Sequence, residues 1–130
     1  MWPVEQIPNE HFLFMRIHAC YIKLGEPIGA FRDIEGGMSA DWEKYSTAQE
    51  ARDRARNPSQ NGIVKLNARK IRDLQGMSVE HTPEPINRAH SEVFGEKTPE
   101  IRLKLNRLAE WVIKLETSTG NAAESPETRR

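Results

Sequence analysis

The chain is expected to fold as a single α+β domain, a small and mostly antiparallel sheet covered by a C-terminal amphipathic helix. Three observations lead there. Short β-type segments recur at 12–18, 63–66, 77–81 and 89–94, bounded by Gly, Pro and Asn turns. Capped helices interrupt them irregularly, which favours α+β over a regularly alternating parallel sheet. The strongest helical periodicity comes last, from Pro99 onward. A length of 130 residues suits one domain. At this size a chain buries roughly two-thirds of its unfolded surface and needs no metal or disulfide staple.

Residues 1–10 form an arm, with Pro3 and Pro8 breaking regular structure. From Phe12 to His18 the pattern is a strand with Phe12, Phe14, Arg16 and His18 on one side and Leu13, Met15 and Ile17 on the other. Gly25-Glu26-Pro27 and Gly29 mark a turn, Ala30-Phe31-Arg32 is a short strand candidate, and Glu35-Gly36-Gly37 is a loop leading to Met38–Trp42. Ser46 or Thr47 opens a helix, because Ser46-x-x-Gln49 and Thr47-x-x-Glu50 both fit a capping box. Asn57-Pro58 stops it near Arg56. Its apolar stripe is alanine only, so it should lie close on a sheet or stay half exposed.

Ile63–Leu66 is a β-branched strand signal. Asn67 caps a helix from Ala68 to Leu74. Met77–His81 and Ala89–Phe94 should pair as a hairpin around a Thr82–Asn87 loop fixed by Pro83 and Pro85. Thr98 then caps a helix with Pro99 in its first turn. Ile101, Leu105, Leu108, Val112 and Leu115 follow on one stripe, so the helix is expected over 99–116. That stripe could also serve a homodimer. The body of the domain is 11–116, and 117–130 has the composition of a disordered tail.

Charge narrows the function. There are 19 Lys+Arg against 19 Asp+Glu, which argues against a general nucleic-acid or membrane binder. Residues 44–72 do carry eight bases against two acids, including Arg52, Arg54, Arg56, Lys65, Arg69, Lys70 and Arg72. No aromatic stacking series accompanies them, so nucleic acid is not the expected partner. Cys20 is the single cysteine, compatible with a reducing cytosol. The longest apolar run, Phe12–Met15, is far short of a membrane span. The expected location is cytoplasmic. No nucleophile elbow, P-loop or dinucleotide fingerprint occurs, and no cofactor is expected.

The polar residues gather in islands: Arg16-x-His18, Ala30-Phe31, Met38-Ser39-x-Asp41-Trp42-x-Lys44-Tyr45, Asn61-Gly62-Ile63-Val64-x-Leu66, Val79-x-His81-x-Pro83 and Asn87-x-Ala89-His90-Ser91. Over roughly residues 5–115 this pattern resembles a group of small uncharacterised bacterial proteins with the same islands in the same order. The resemblance implies a bacterial cytosolic protein and supplies no catalytic residue.

Two functions follow from the islands themselves. In the favoured one the chain is a non-catalytic interaction module, meeting a protein partner through Asp41, Trp42 and Tyr45 and the loop with Pro83 and Asn87. Trp and Tyr are preferred interface anchors, though the same rings would equally serve to cover the sheet. In the alternative it is a small enzyme acting on a nucleotide-like or phosphorylated ligand, with Arg16, His18, His81 and His90 around the site. Arginine grips phosphate through a planar fork of donors, and histidine suits acid–base work. A strand-borne Arg or His also resembles the ADP-ribosyltransferase kind of nucleotide-handling fold, by fold analogy alone. That reading needs His18, His81 and His90 within about 10 Å of one point, the reach of a single small-ligand site. A metal is not expected, since tight four-ligand spacing is missing. A buried Arg16 would need a carboxylate, Asp33 or Asp41.

Overall fold

A computed structural model of the chain describes residues 1–34 and 36–115; the expected tail at 117–130 lies outside the described residues. Six strands form one sheet: β1 (Phe12–His18), β2 (Met38–Trp42), β3 (Asn61–Asn67), β4 (Ser78–His81), β5 (His90–Phe94) and β6 (Glu110–Ile113). Their order is β4-β5-β2-β1-β3-β6 and every pairing is antiparallel. Three helices accompany them, α1 (Ala48–Asp53), α2 (Ala68–Arg72) and α3 (Pro99–Leu108). The α+β class is therefore as the sequence indicates. Among the described residues no helix is long and apolar enough to cross a membrane.

Strand alternation makes two unlike faces. Leu13, Met15 and Ile17 of β1 join Met38, Ala40 and Trp42 of β2, Val64 and Leu66 of β3, and Val79 and Val93 of the outer hairpin. Over this face pack Ile71 of α2, Ile101 and Leu105 of α3, Phe31 and Ile7. The opposite face carries Phe14, Arg16, His18, Ser39, Asp41 and His90. Helix α1 packs on it through the fully buried Ala51, so the alanine stripe does lie close on the sheet. The Thr47–Glu50 capping box is formed in both directions, and Asn67 and Thr98 cap α2 and α3 with their side chains.

Two expectations need correction. Ala30–Arg32 is not a strand; Ala30 and Phe31 are buried core plugs in an irregular segment, and the strand is Met38–Trp42. Nor does the last helix run to 116. It stops at Leu108, Ala109 turns extended, and Trp111, Val112 and Ile113 form the edge strand β6 on β3. The run of β-prone residues and the open edge of β3 outweigh the helical stripe. Gly62 makes room, since a Cβ there would lie 2.8 Å from the Trp111 ring. The stripe offered for a dimer is thus divided: Ile101 and Leu105 sit in this chain's own core, and Val112 lies on β6.

The arm is docked, not loose. Ile7 is buried, its carbonyl accepts from Arg72 Nη1 at 2.8 Å, and Asn9 Oδ1 accepts from the same nitrogen at 2.8 Å.

Candidate functional site

A carboxylate in mid-sheet organises the polar islands. Asp41 is fully buried on β2. Its Oδ2 accepts from Arg16 Nη1 at 3.1 Å and Arg54 Nη1 at 2.9 Å, and its Oδ1 accepts from Asn87 Nδ2 at 2.9 Å. Of the two expected carboxylates, Asp41 is the partner of Arg16; Asp33 pairs with Lys97 instead. Arg54 Nη1 also donates to Ser46 Oγ at 2.9 Å, and Arg16 Nη1 to the Ala51 carbonyl at 3.0 Å. One anion between two guanidiniums leaves an uncompensated positive charge at the surface of this cluster.

Beside it lies an open hollow of about 680 Å³. Arg16, His18, Arg32, Arg56, Ser39 and Asn57 supply its polar lining, and no acidic side chain lines it among the described residues. Arg16 is held by one nitrogen only; its Nε and Nη2 make no hydrogen bond to described residues and remain for a ligand. His18 Nδ1 accepts from the Cys20 amide at 3.0 Å, so the neutral ring carries its proton on Nε2. Arg32 comes from the loop before β2 and Arg56 from the loop after α1. Nothing in their spacing signals this convergence. Ser39 had a signal: alternation in Met38–Trp42 puts it on the Asp41 face.

The other candidates serve the fold. His81 is buried; its Nδ1 accepts from the Glu5 amide at 3.0 Å and its Nε2 donates to the Arg88 carbonyl at 2.7 Å. It does not join His18 and His90. The register His81↔Ser91 and Ala40↔Ser91 sets it on the core face, whereas Asp41↔His90 sets His90 on the Arg16 face. Three successive antiparallel pairings also make β4 antiparallel to β1, so His81 and His18 end at opposite ends of the sheet. The expected three-histidine constellation is therefore absent, and the enzyme reading built on Arg16, His18, His81 and His90 together loses its basis.

Trp42 is 1% exposed and Asn87 is 7% exposed, so with Asp41 they touch no partner directly. Tyr45 and Pro83 are half-buried. Most of the basic 44–72 segment is likewise spent internally: Arg52 on the Asn61 carbonyl, Arg54 on Asp41, Arg72 on the arm and Lys65 over the Phe12 ring. Among the described residues no three His, Cys, Asp or Glu side chains come together as a metal set.

Tyr45 belongs to a clamp on the arm. Glu5 accepts from Lys44 Nζ at 2.6 Å and from the Tyr45 hydroxyl, while Arg88 stacks between the Tyr45 and Trp2 rings. The hydrogen bonds from Lys44 and then Tyr45 hold the Glu5 carboxyl down at about 2, against an ordinary 4.5. A depressed carboxyl stabilises the fold above its unfolded value and loses that contribution as pH falls through its folded one. Wild type should therefore melt above Glu5→Gln near neutral pH, with the gap closing between about 4.5 and about 2. A gap that stays constant across this window in calorimetric scans would show that the Glu5 charge does not tether the arm.

No protein-family model matches the chain, and neither the curated proteins nor the solved structures compared with it give a match.

Proposed function

We propose that the chain binds a phosphorylated small molecule in the hollow on the Arg16 face. The observation that carries this is the lining itself: Arg16, Arg32, Arg56 and His18 with no described acidic residue. A phosphoryl group has three oxygens to satisfy, and guanidiniums meet them two at a time. Asp41 and the Ala51 carbonyl hold Arg16 before any ligand arrives, which lowers the ordering cost of binding. The volume, about 680 Å³, is in the range of sites for whole small molecules and far exceeds a bare phosphate. Ile34 offers apolar wall for the remainder.

A non-catalytic interaction role is the second reading, and it now rests on different residues. Ile86 stands 95% exposed at the tip of the loop between β4 and β5, next to Pro85, which lines a small hollow with Met1 and Trp2 of the arm. A bacterial cytosol suits both readings; the single exposed thiol of Cys20 fits a reducing compartment, and the bacterial assignment rests on the resemblance of the islands.

The test is calorimetric titration with inorganic phosphate and with adenosine monophosphate. Arg56 makes no hydrogen bond or ion pair to described residues, so Arg56→Gln should leave the melting temperature in place. It should weaken the tighter ligand by about tenfold or more, the usual loss for one charge-assisted contact. Absence of binding by both compounds, or binding indifferent to Arg56→Gln and Arg32→Gln, would overturn the proposal.

A further inference from the structure

Of the four histidines, His90 alone presents a free base to a hydroxyl on the hollow. Its Nδ1 lies 2.9 Å from the Thr82 carbonyl and 3.0 Å from the Thr82 hydroxyl, which can also accept. A carbonyl oxygen only accepts, so the proton sits on Nδ1 and the Nε2 lone pair is left open. Ser39 Oγ lies 3.2 Å from that Nε2. The two side chains share the sheet face, and Ser39 itself lines the hollow with Arg16. The other three rings are committed differently. His11 Nδ1 accepts from the Trp42 indole, His18 Nδ1 from the Cys20 amide, and His81 is bonded on both nitrogens inside the core.

A nucleophile bonded to a base, with the base oriented by a third group, is the arrangement that activates a serine. We propose that Ser39 is the nucleophile and His90 the general base of an acyl-transfer site acting on a carboxylic ester that also bears a phosphoryl group. The inference rests on the binding reading above, because the phosphoryl group is what seats the ester in the hollow. Ser39 Oγ attacks the ester carbon as its proton passes to His90 Nε2. The C–O bond to the alcohol breaks, and His90 returns the proton to the departing oxygen. Water then attacks the acyl-serine, gives one proton to His90, and Ser39 is restored by taking that proton as the Oγ–C bond breaks. The products are the acid and the alcohol.

Neighbouring charges suit these steps. Glu84 places a carboxylate oxygen 3.7 Å from the same His90 Nε2. The unbonded Arg16 Nε and Nη2 supply positive donors on the same hollow for the oxygen that becomes negative. Glu92 stands opposite Ser39 on β5, so the phosphoryl end of the ester belongs on the Arg32–Arg56 side.

The probe is diisopropyl fluorophosphate, which needs a serine nucleophile but no anionic handle. Attack forms the Oγ–P bond and releases fluoride, with the proton passing through His90 to solvent. Intact-mass measurement and peptide mapping should place one adduct on Ser39. Ser39→Ala should lose it, and His90→Gln should slow labelling at least tenfold. Ser39 is exposed, so Ser39→Ala should melt with wild type. If phosphate binds but Ser39 is not labelled, or is labelled equally in His90→Gln, the nucleophile assignment falls and the binding reading stands. If Ser39 is labelled but neither phosphate nor adenosine monophosphate binds, the phosphorylated substrate class falls and the binding reading with it.

Discussion

Asp41→Ala should lower folding stability by about 3–5 kcal/mol, the usual loss when one partner of a buried ion pair is removed. The fully buried carboxylate is shared by Arg16, Arg54 and Asn87. Without it two part-buried guanidiniums face each other, and the Asn87 amide loses its acceptor. The loss is electrostatic more than volumetric, so Asp41→Asn, which keeps the shape, should recover only part of it. Urea denaturation measures both. The Asp41 and Asn87 substitutions should also be non-additive, since they remove the same hydrogen bond. A loss under about 1 kcal/mol for Asp41→Ala would mean that water reaches the pair, because exposed ion pairs are worth no more than that. Phosphate affinity should fall as well, as Arg16 would lose its anchor and retain only the Ala51 carbonyl.

How much of this was legible in the sequence depends on the range of the forces involved. Local signals held. The Thr47–Glu50 box, the Asn67 cap, the Thr98-Pro99 start, the alternation in β1, the β-branched run of β3 and the β4–β5 hairpin are set by neighbours within a few residues. Met38–Trp42 alternates too, but an aspartate, here Asp41, is poor in strands by propensity. Only the distant Arg16, Arg54 and Asn87 make Asp41 tolerable there. The last helix failed for the complementary reason. Val112 and Leu115 continue a helical stripe, yet β3 has an unpaired edge that the Trp111–Ile113 run satisfies.

The site divides in the same way. Arg16 and His18 share a strand face by simple alternation, and the need of a buried Arg for a carboxylate pointed to Asp33 or Asp41, between which only the structure decides. Arg32 and Arg56 reach the hollow from loops, and loop paths are not written in periodicity. His81 and His90 looked alike in sequence. The parity of one register decides between them: an odd step from Ser91 places His90 outward, and the direct pairing with Ser91 places His81 in the core.

Trp42→Ala should cost about 3–5 kcal/mol, the range for truncating a large buried aromatic. The ring is 1% exposed and fills the core between Tyr45 at 5.4 Å and His81 at 5.0 Å, both edge-on. Its indole nitrogen donates to His11 Nδ1 at 3.0 Å. Trp42→Phe keeps most of the apolar volume and drops that bond, so it should cost less, the bond itself being worth about 1 kcal/mol. The alanine variant should also loosen the arm. His81, left without the ring it packs on, is the acceptor that holds the Glu5 amide, and Tyr45 is a member of the Glu5 clamp. Protease cleavage within residues 1–10 should therefore accelerate in Trp42→Ala under conditions where the rest of the chain stays folded. Near wild-type stability for Trp42→Ala would show that the ring does not fill the core, and Trp42 would return as a surface anchor for a protein partner.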